Sequence, residues 1–300
     1  MTTILVAGGS GDLGGRIVRS LLDLDAHVRV LTRPAGGASR RPDAPPGVEV
    51  VEAAYDDPAA LRRACEGVDV VVSCLSGTRD VVLGAQGRLL DAAVAAGVPR
   101  FVPSDWSVDV REVPRGSNRN LELRRAFWHR LDAAPVRATS VLCGAFTDLL
   151  TGQAPIVLFD RRLVLFWGSA DQPFDLTTKD DVAAYAAAAA LDADAPRVLE
   201  IAGDTVTARQ LRDALVDLTG ERWRLVPAGT PGLLGAMARV LRATSKETAE
   251  PFPAWQGMQY LVSMFSGVGK LRHLANDRYG ARSWTSAREV LAAHLGVPVR

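Results

Sequence analysis

Gly8, Gly11 and Gly14 stand three residues apart, directly after a short apolar run and directly before a helical pattern. Glycines at that spacing between a strand and a helix suit one task, the binding of a phosphate-bearing dinucleotide. A pyrophosphate must come close to backbone N–H groups at a helix N-terminus, where free donors and the helix dipole favour anions. A side chain at the turn, at the contact or at the helix–strand packing point would block that approach. Gly8, Ser10, Gly11, Asp12, Leu13 and Gly14 are the candidate residues for this contact. The competing reading is a glycine-rich turn with no ligand. The strand before it and the helix after it argue for the binding loop.

The end of the second strand selects the dinucleotide. An NAD site usually places Asp or Glu about 20 residues on, where it accepts hydrogen bonds from the ribose 2′-OH. Here that place is held by Thr32 and Arg33, with no acid to repel a phosphate. A guanidinium fork matches a 2′-phosphate bidentately, so NADPH is the expected cofactor. Arg40 or Arg41 in the following loop adds a second cation, or is a solvated loop charge.

Positioning these groups takes a regular alternation of elements. Thr3–Ala7, Val28–Leu31, Val48–Val51, Val68–Val72, Arg100–Val102 and Val136–Leu142 read as strands. Gly14–Leu22, Pro58–Cys65, Val81–Ala96 and Leu121–Leu131 read as helices, with Asp56 or Asp57 as a cap ahead of Pro58. Strands alternating with helices imply parallel βαβ units with right-handed crossovers. The expected class is α/β, a Rossmann-type doubly wound parallel sheet with a smaller, mostly helical C-terminal substrate domain. Beyond Leu142 the alternation breaks: Ile156–Phe159 and Leu163–Trp167 suggest a hairpin, and Lys179–Leu191 an Ala-rich helix. We expect an NAD(P)-binding domain over residues 1–150. Residues 151–300 then form the substrate-binding part, sharing the central sheet and closing the cleft.

Composition bounds the function. The 300 residues are 48% apolar and 23% charged, within the ordinary globular range. Lys plus Arg is 35 against 34 for Asp plus Glu, a net charge of +1, which gives bulk charge no hold on nucleic acid or membrane. The longest strongly apolar stretch, Val182–Leu191, is far shorter than the roughly 20 residues that cross a bilayer. The first residues carry no basic region and reach glycine too early for a signal peptide. Cys65, Cys74 and Cys143 form no CxxC and have no His at ligand spacing, so neither a disulfide framework nor a metal site is expected. The expected location is the cytoplasm.

Three segments carry a resemblance. Val68–Gly77 is an apolar strand running into Ser73, Cys74 and Leu75. Gly84–Asp109 carries Gln86 in a helix and then Arg100-Phe101-Val102-Pro103-Ser104-Asp105-Trp106. Val136–Leu150 runs into Phe146. Together they resemble the isoflavone-reductase/NmrA-like branch of the atypical short-chain dehydrogenases/reductases. The resemblance implies NADPH, with Ser73, Cys74, Leu75, Pro103 and Phe146 joining the glycine loop around it. It also implies a C-terminal cleft at the nicotinamide end.

The chain departs from the superfamily at the proton donor. Ordinary members carry Tyr-x-x-x-Lys, yet none of Tyr55, Tyr185, Tyr260 or Tyr279 has a Lys four places later. Reductases of this branch keep a Lys in the helix after the fifth strand. Counted back from Thr139, that position falls on Arg124 and the Tyr frame on Asn120. An arginine binds ribose hydroxyls or polarises a carbonyl as a fixed cation, but it does not give up a proton usefully. The catalytic candidates are therefore Ser104, Asp105 and Arg124. Ser104 either orients the substrate or satisfies local backbone. Asp105 is either an acid of raised pKa or a loop anchor bonded to N–H groups. His129, on the same helix, reads as a packed or surface residue. Trp255, Met258, Val262 and Phe265 fall at helical spacing and form either a core face or an apolar substrate wall, with Trp106 and Phe146 approaching the same space.

The leading expectation is an NADPH-dependent reductase of an apolar, aromatic or polyketide-like carbonyl or activated double bond. Its partner would be a small apolar molecule, and the chain a monomer or homodimer. The alternative is an NmrA-like NAD(P)-binding redox-sensing regulator without turnover. A third is an isomerase or cyclase that retains the cofactor site.

Overall fold

The computed structural model describes residues 1–34, 46–245 and 250–299. Its described residues form two compact units that interleave along the chain. The first comprises Met1–Asp105, Leu123–Val141 and Val182–Leu199, the second Trp106–Glu122, Leu142–Asp181 and Glu200–Arg300.

The first part of the chain alternates β1 (Thr3–Ala7), α1 (Asp12–Leu22), β2 (His27–Thr32), β3 (Val48–Glu52), α2 (Pro58–Cys65), β4 (Val70–Ser73), α3 (Gln86–Ala95), β5 (Arg100–Val102), α4 (Arg119–Asp132) and β6 (Arg137–Ala138). The six strands form one sheet in the order β3-β2-β1-β4-β5-β6, every neighbouring pair parallel. This is the doubly wound dinucleotide-binding topology expected from the alternation. Both faces are covered, as a parallel sheet requires. On one face Leu5, Ala7, Leu31, Val71 and Phe101 pack with Leu61, Leu89, Leu90, Phe127 and Leu131 from α2, α3 and α4. On the other lie the alternate strand positions Ile4, Val6, Val28, Val30, Val70 and Val72, all buried. Val30 and Val18 of α1 meet there, both within contact of a side chain built at Gly9.

Two elements differ from the sequence reading. The helix expected over Val81–Ala96 begins as a π-helical turn, Asp80–Ala85, before α3. The strand expected over Val136–Leu142 breaks at Thr139. Its first part pairs with β5, and its continuation, β7 (Ser140–Leu142), forms a separate two-stranded sheet with Val198–Glu200. The strand changes partner there: the Thr139 N–H donates to Phe101 O at 3.1 Å, the next N–H, of Ser140, to Arg197 O at 2.9 Å.

The remaining elements are β8 (Ala145–Phe146), β9 (Val157–Leu158), β10 (Leu163–Phe166), β11 (Phe174–Thr177), α5 (Lys179–Leu191), β12 (Val198–Glu200), β13 (Asp204–Val206), α6 (Ala208–Thr219), β14 (Arg224–Pro227), α7 (Pro231–Thr244), α8 (Ala254–Phe265) and α9 (Ala287–Leu295). The expected hairpin is β9–β10, antiparallel, turning through Arg162 at φ +52. Helix α5 buries Val182, Ala183, Tyr185, Ala186, Ala187, Ala189 and Ala190, so it is apolar on nearly all sides, as its Ala-rich sequence demands. The buried Arg100 of β5 closes its C-terminal end, donating to the carbonyls of Ala189 and Ala190 at 2.9 and 2.8 Å. The second unit has its own core, in which the Phe265 ring lies 5.2 Å from Trp167 and 5.5 Å from Phe174.

The β1–α1 junction is the tightest point of the sheet. A Cβ added to Gly14 would lie 2.1 Å from Gly8 O, a backbone atom that cannot swing aside. The same atom on Gly15 would meet Gly9 O at 3.4 Å, an ordinary contact. Gly14→Ala is therefore expected to lower the melting temperature by several degrees or abolish folding. Gly15→Ala, in the same helix, is expected to stabilise by up to about 1 kcal/mol through helix propensity. Parallel thermal melts of the two variants check this.

Candidate functional site

The loop between β1 and α1 is built from backbone lying on backbone. Gly8 adopts φ +81, and a Cβ there would meet the Cys74 carbonyl oxygen at 2.9 Å. Gly9, which lies outside the Gly8, Gly11 and Gly14 spacing, belongs to the same tight turn, since a Cβ there would strike Val30 Cγ1 at 2.9 Å. The Gly8-Gly9 doublet was the available signal. Gly11 caps α1 in an extended conformation, φ −79 and ψ 170, with no side chain on the first-turn N–H groups. Ser10, Gly11 and Asp12 are exposed, Leu13 is half-buried, and Asp12 pairs with Arg16 at 2.8 Å. Thr32 ends β2, its hydroxyl directed to Val51 O at 3.4 Å, and the exposed Arg33 follows it. Arg40 and Arg41 lie outside the described residues.

These features fit a dinucleotide. The turn has no room for a Cβ where a pyrophosphate would approach, the helix end is not capped by a side chain, and a guanidinium stands where a 2′-OH site would carry an acid. At the neighbouring strand end Ser73 is fully buried, and its hydroxyl has no partner among the described residues. Cys74 and Leu75 continue from it, the Cys74 N–H donating to Ala7 O at 2.8 Å.

The end of β5 holds the catalytic candidates within the first unit. Pro103, Ser104 and Asp105 are all buried. The Ser104 N–H donates to the buried Gln86 Oε1 at 2.9 Å, and its carbonyl accepts from Arg124 Nε at 3.2 Å. Arg124 thus reaches the Ser104 backbone as a fixed cation. Asp105 is 1% exposed. Its Oδ2 accepts from the Trp128 indole N–H and from the Ser140 hydroxyl at 2.6 Å. Arg197 donates to the same hydroxyl at 2.7 Å and stacks 4.5 Å from the Trp128 ring centroid. Asp105 Oδ1 is buried with no partner among the described residues. Burial holds the Asp105 carboxyl above the usual carboxylate range. The Ser140 hydrogen bond, the Arg124 charge, the Trp128 hydrogen bond and the Arg197 charge pull it back. Ser140 and Arg197 were missed in the sequence reading, since partners 35 and 57 residues apart leave no local pattern. His129 is exposed.

The substrate-side candidates lie in the second unit. Trp106 is buried with its indole N–H unpartnered among the described residues. Phe146 is half-buried at the end of β8, with Lys179 Nζ 5.6 Å from its ring centroid, and Lys179 pairs with Asp148. The α8 stripe is one helical face, as its spacing predicts. Phe265 sits in the core between Trp167 and Phe174, and Met258 packs against the same cluster. The Trp255 ring is covered by the guanidinium groups of Arg119 at 4.6 Å and Arg242 at 5.2 Å. Asn120 is buried, donating to Pro251 O at 2.9 Å and accepting from Arg119 at 3.0 Å. Among the described residues no His, Cys, Asp and Glu cluster is arranged to hold a metal, and no helix is long and apolar enough to cross a membrane.

Residues 1–227 match the NmrA-like family. The chain belongs to that family. Pinoresinol reductase 1 of Arabidopsis thaliana is 30% identical to this NmrA-like chain over 205 residues, 62% of this chain and 63% of that protein. The isoflavone reductase homolog IRL of Zea mays is 31% identical over 242 residues, 74% of this chain and 75% of that one. This chain spans just under two thirds of the length of the pinoresinol reductases it matches. The leucoanthocyanidin reductase of Vitis vinifera, solved as a binary complex with NADPH, superposes with a TM-score of 0.82 at 15% identity. That superposition covers 98% of this chain and 99% of the other, and it shows a shared fold.

The Asp105 environment has a stability consequence with a definite sign. A carboxyl whose pKa is higher folded than unfolded binds its proton more tightly in the native state. Wild-type stability therefore falls as the pH rises from about 4 through the raised value. Asp105→Asn keeps an acceptor for Trp128 and Ser140 while removing the buried charge. Its melting temperature is expected to gain on the wild type steadily from pH 4 to pH 7, whereas a constant difference would contradict the raised pKa. Asp105→Ala strands both donors and is expected to cost about 2–4 kcal/mol.

Proposed function

We propose that this NmrA-like chain is an NADPH-dependent reductase of a small aromatic substrate of phenylpropanoid or polyketide-like type, acting at a carbonyl or activated double bond. The observation that carries the reading is the glycine cradle of β1 and α1 with Arg33 in place of a ribose-binding acid. The relatives support it, since two of them are named as pinoresinol and isoflavone-type reductases. The glycine loop, Ser73, Cys74, Leu75, Pro103 and Phe146 hold the dinucleotide, which supplies the hydride when bound. Arg124 adds a fixed positive charge beside the Ser104 backbone, a group that stabilises developing negative charge without exchanging a proton. The Ser104 hydroxyl orients the substrate. The proton comes from water, from Ser104 or from an acidic hydroxyl of the substrate itself. Trp106 and Phe146 are the apolar groups of the second unit assigned to the substrate, since Phe265 and Met258 pack in the core and the Trp255 ring lies under Arg119 and Arg242. The chain works in the cytoplasm as a monomer or homodimer, with no nucleic-acid or membrane partner.

A second reading, an NAD(P)-binding regulator without turnover, draws on the missing Tyr-x-x-x-Lys pair. Steady-state kinetics against quinones, aromatic ketones and enoyl compounds separate the two. Turnover in any class supports the reductase, and failure in all three with tight NADPH binding favours the regulator. Arg33→Asp is expected to raise the Michaelis constant for NADPH about 30- to 100-fold, the loss of a charge-assisted phosphate contact. The constant for NADH should stay within about threefold, and equal effects on both would remove the 2′-phosphate role.

A further inference from the structure

We propose that the Tyr55 hydroxyl is a second recognition group for the ribose 2′-phosphate, shared with Arg33. The inference rests on the NADPH reading of the site and adds a residue that the glycine-loop pattern does not contain. The ends of β2 and β3 meet at this corner. Strand β2 ends at Thr32, directly opposite Glu52 of β3. The chain stays tied to that point after β3, because the Ala53 N–H donates to Thr32 O at 3.0 Å. Tyr55 follows in a turn closed by the Asp57 N–H on Ala54 O at 3.1 Å. Arg88 locks the turn from α3, donating to the Tyr55 carbonyl at 2.6 Å.

The side chain is fixed as well. The Tyr55 ring packs against the buried cluster that also receives Leu75, just beyond β4. It is half-buried, with the ring held against that core. Burial pushes the phenol up to about 12, the nearby Arg33 guanidinium pulls it down, and the neighbouring Cys74 raises it again. Tyr55 thus stands at the end of β2, where Arg33 follows, on the core cluster that Leu75 also meets. It stays protonated throughout the neutral range, and a protonated phenol donates to a phosphate oxygen, which only accepts. A hydroxyl donor beside an arginine fork gives a dianionic phosphate a further charge-assisted bond.

Adenosine 2′,5′-bisphosphate and adenosine 5′-monophosphate differ only in the 2′-phosphate, so calorimetric titration with both probes isolates it. Tyr55→Phe keeps the ring and its packing and removes only the hydroxyl. It is expected to weaken the bisphosphate about tenfold, or about 1.4 kcal/mol, and to leave the monophosphate within about twofold. The unchanged monophosphate also shows that the variant is folded. An unchanged bisphosphate, or an equal loss for both probes, overturns the proposal. Arg33→Ala is titrated alongside. If it lowers bisphosphate affinity selectively and Tyr55→Phe does not, only the tyrosine role fails. If the wild type itself does not distinguish the probes, the 2′-phosphate reading of Arg33 fails and the tyrosine role with it.

Discussion

The structure of the first unit turns on one steric constraint, the backbone-to-backbone contact of Gly14 with Gly8 and of Gly8 with Cys74. An added Cβ at either glycine would lie within 2.9 Å of a carbonyl oxygen. That closeness sets helix α1 directly against the first strand, and it sets the turn directly against the loop after β4. The sheet order places β1 between β2 and β4, so the ends of both neighbours lie beside the turn. Arg33 and Tyr55 on one side, and Ser73, Cys74 and Leu75 on the other, are brought to one corner by it. A single larger residue in the turn would separate groups that lie far apart in the chain.

A second organising point is the buried carboxyl of Asp105. Its two donors come from α4 and from β7, which ties the end of β5 to the helix after it and to the strand where the sheet changes partner. Arg197 closes the set through the Ser140 hydroxyl and the Trp128 ring. Burying a charge this fully is costly unless it is paired and hydrogen-bonded, and among the described residues its Oδ1 has no partner. The imbalance raises the pKa, because the neutral acid is the form the pocket tolerates best. Asp105 therefore acts first as a structural tie that holds Ser104 and Pro103 in place.

How much of this was legible in the sequence follows the range of each interaction. Local signals were read directly: of the two caps offered ahead of Pro58, Asp57 starts α2, its side chain accepting from the Ala60 N–H. The alternation of strands and helices was enough for the sheet, because βαβ connectivity leaves few topologies. The α8 stripe shows where such reading stops. Spacing put Trp255, Met258 and Phe265 on one helical face, yet the same spacing serves a core and a ligand wall. In the second unit Phe265 lies among core aromatics while Trp255 lies under two guanidinium groups. The π-helical turn before α3 and the break at Thr139 depend on partners far along the chain, so no window of local sequence contains them. The same holds for Ser140 and Arg197 around Asp105.

The charge inventory near β5 constrains any chemistry proposed there. The cations beside Ser104 and Asp105 are arginines, Arg124 and Arg197, and a guanidinium holds its proton at every physiological pH. Such groups stabilise negative charge by position alone, and they do so best where water is excluded. The one carboxyl among them has both its hydrogen bonds directed to structural donors. Its free oxygen is buried, so it is poorly placed to pass a proton to anything outside the fold. On the proposed reductase reading, the site contributes orientation and electrostatics, and the proton comes from water, from the Ser104 hydroxyl or with the substrate. A phenolic substrate suits that division of labour, since it carries an acidic hydroxyl of its own and an aromatic face that an apolar wall can hold.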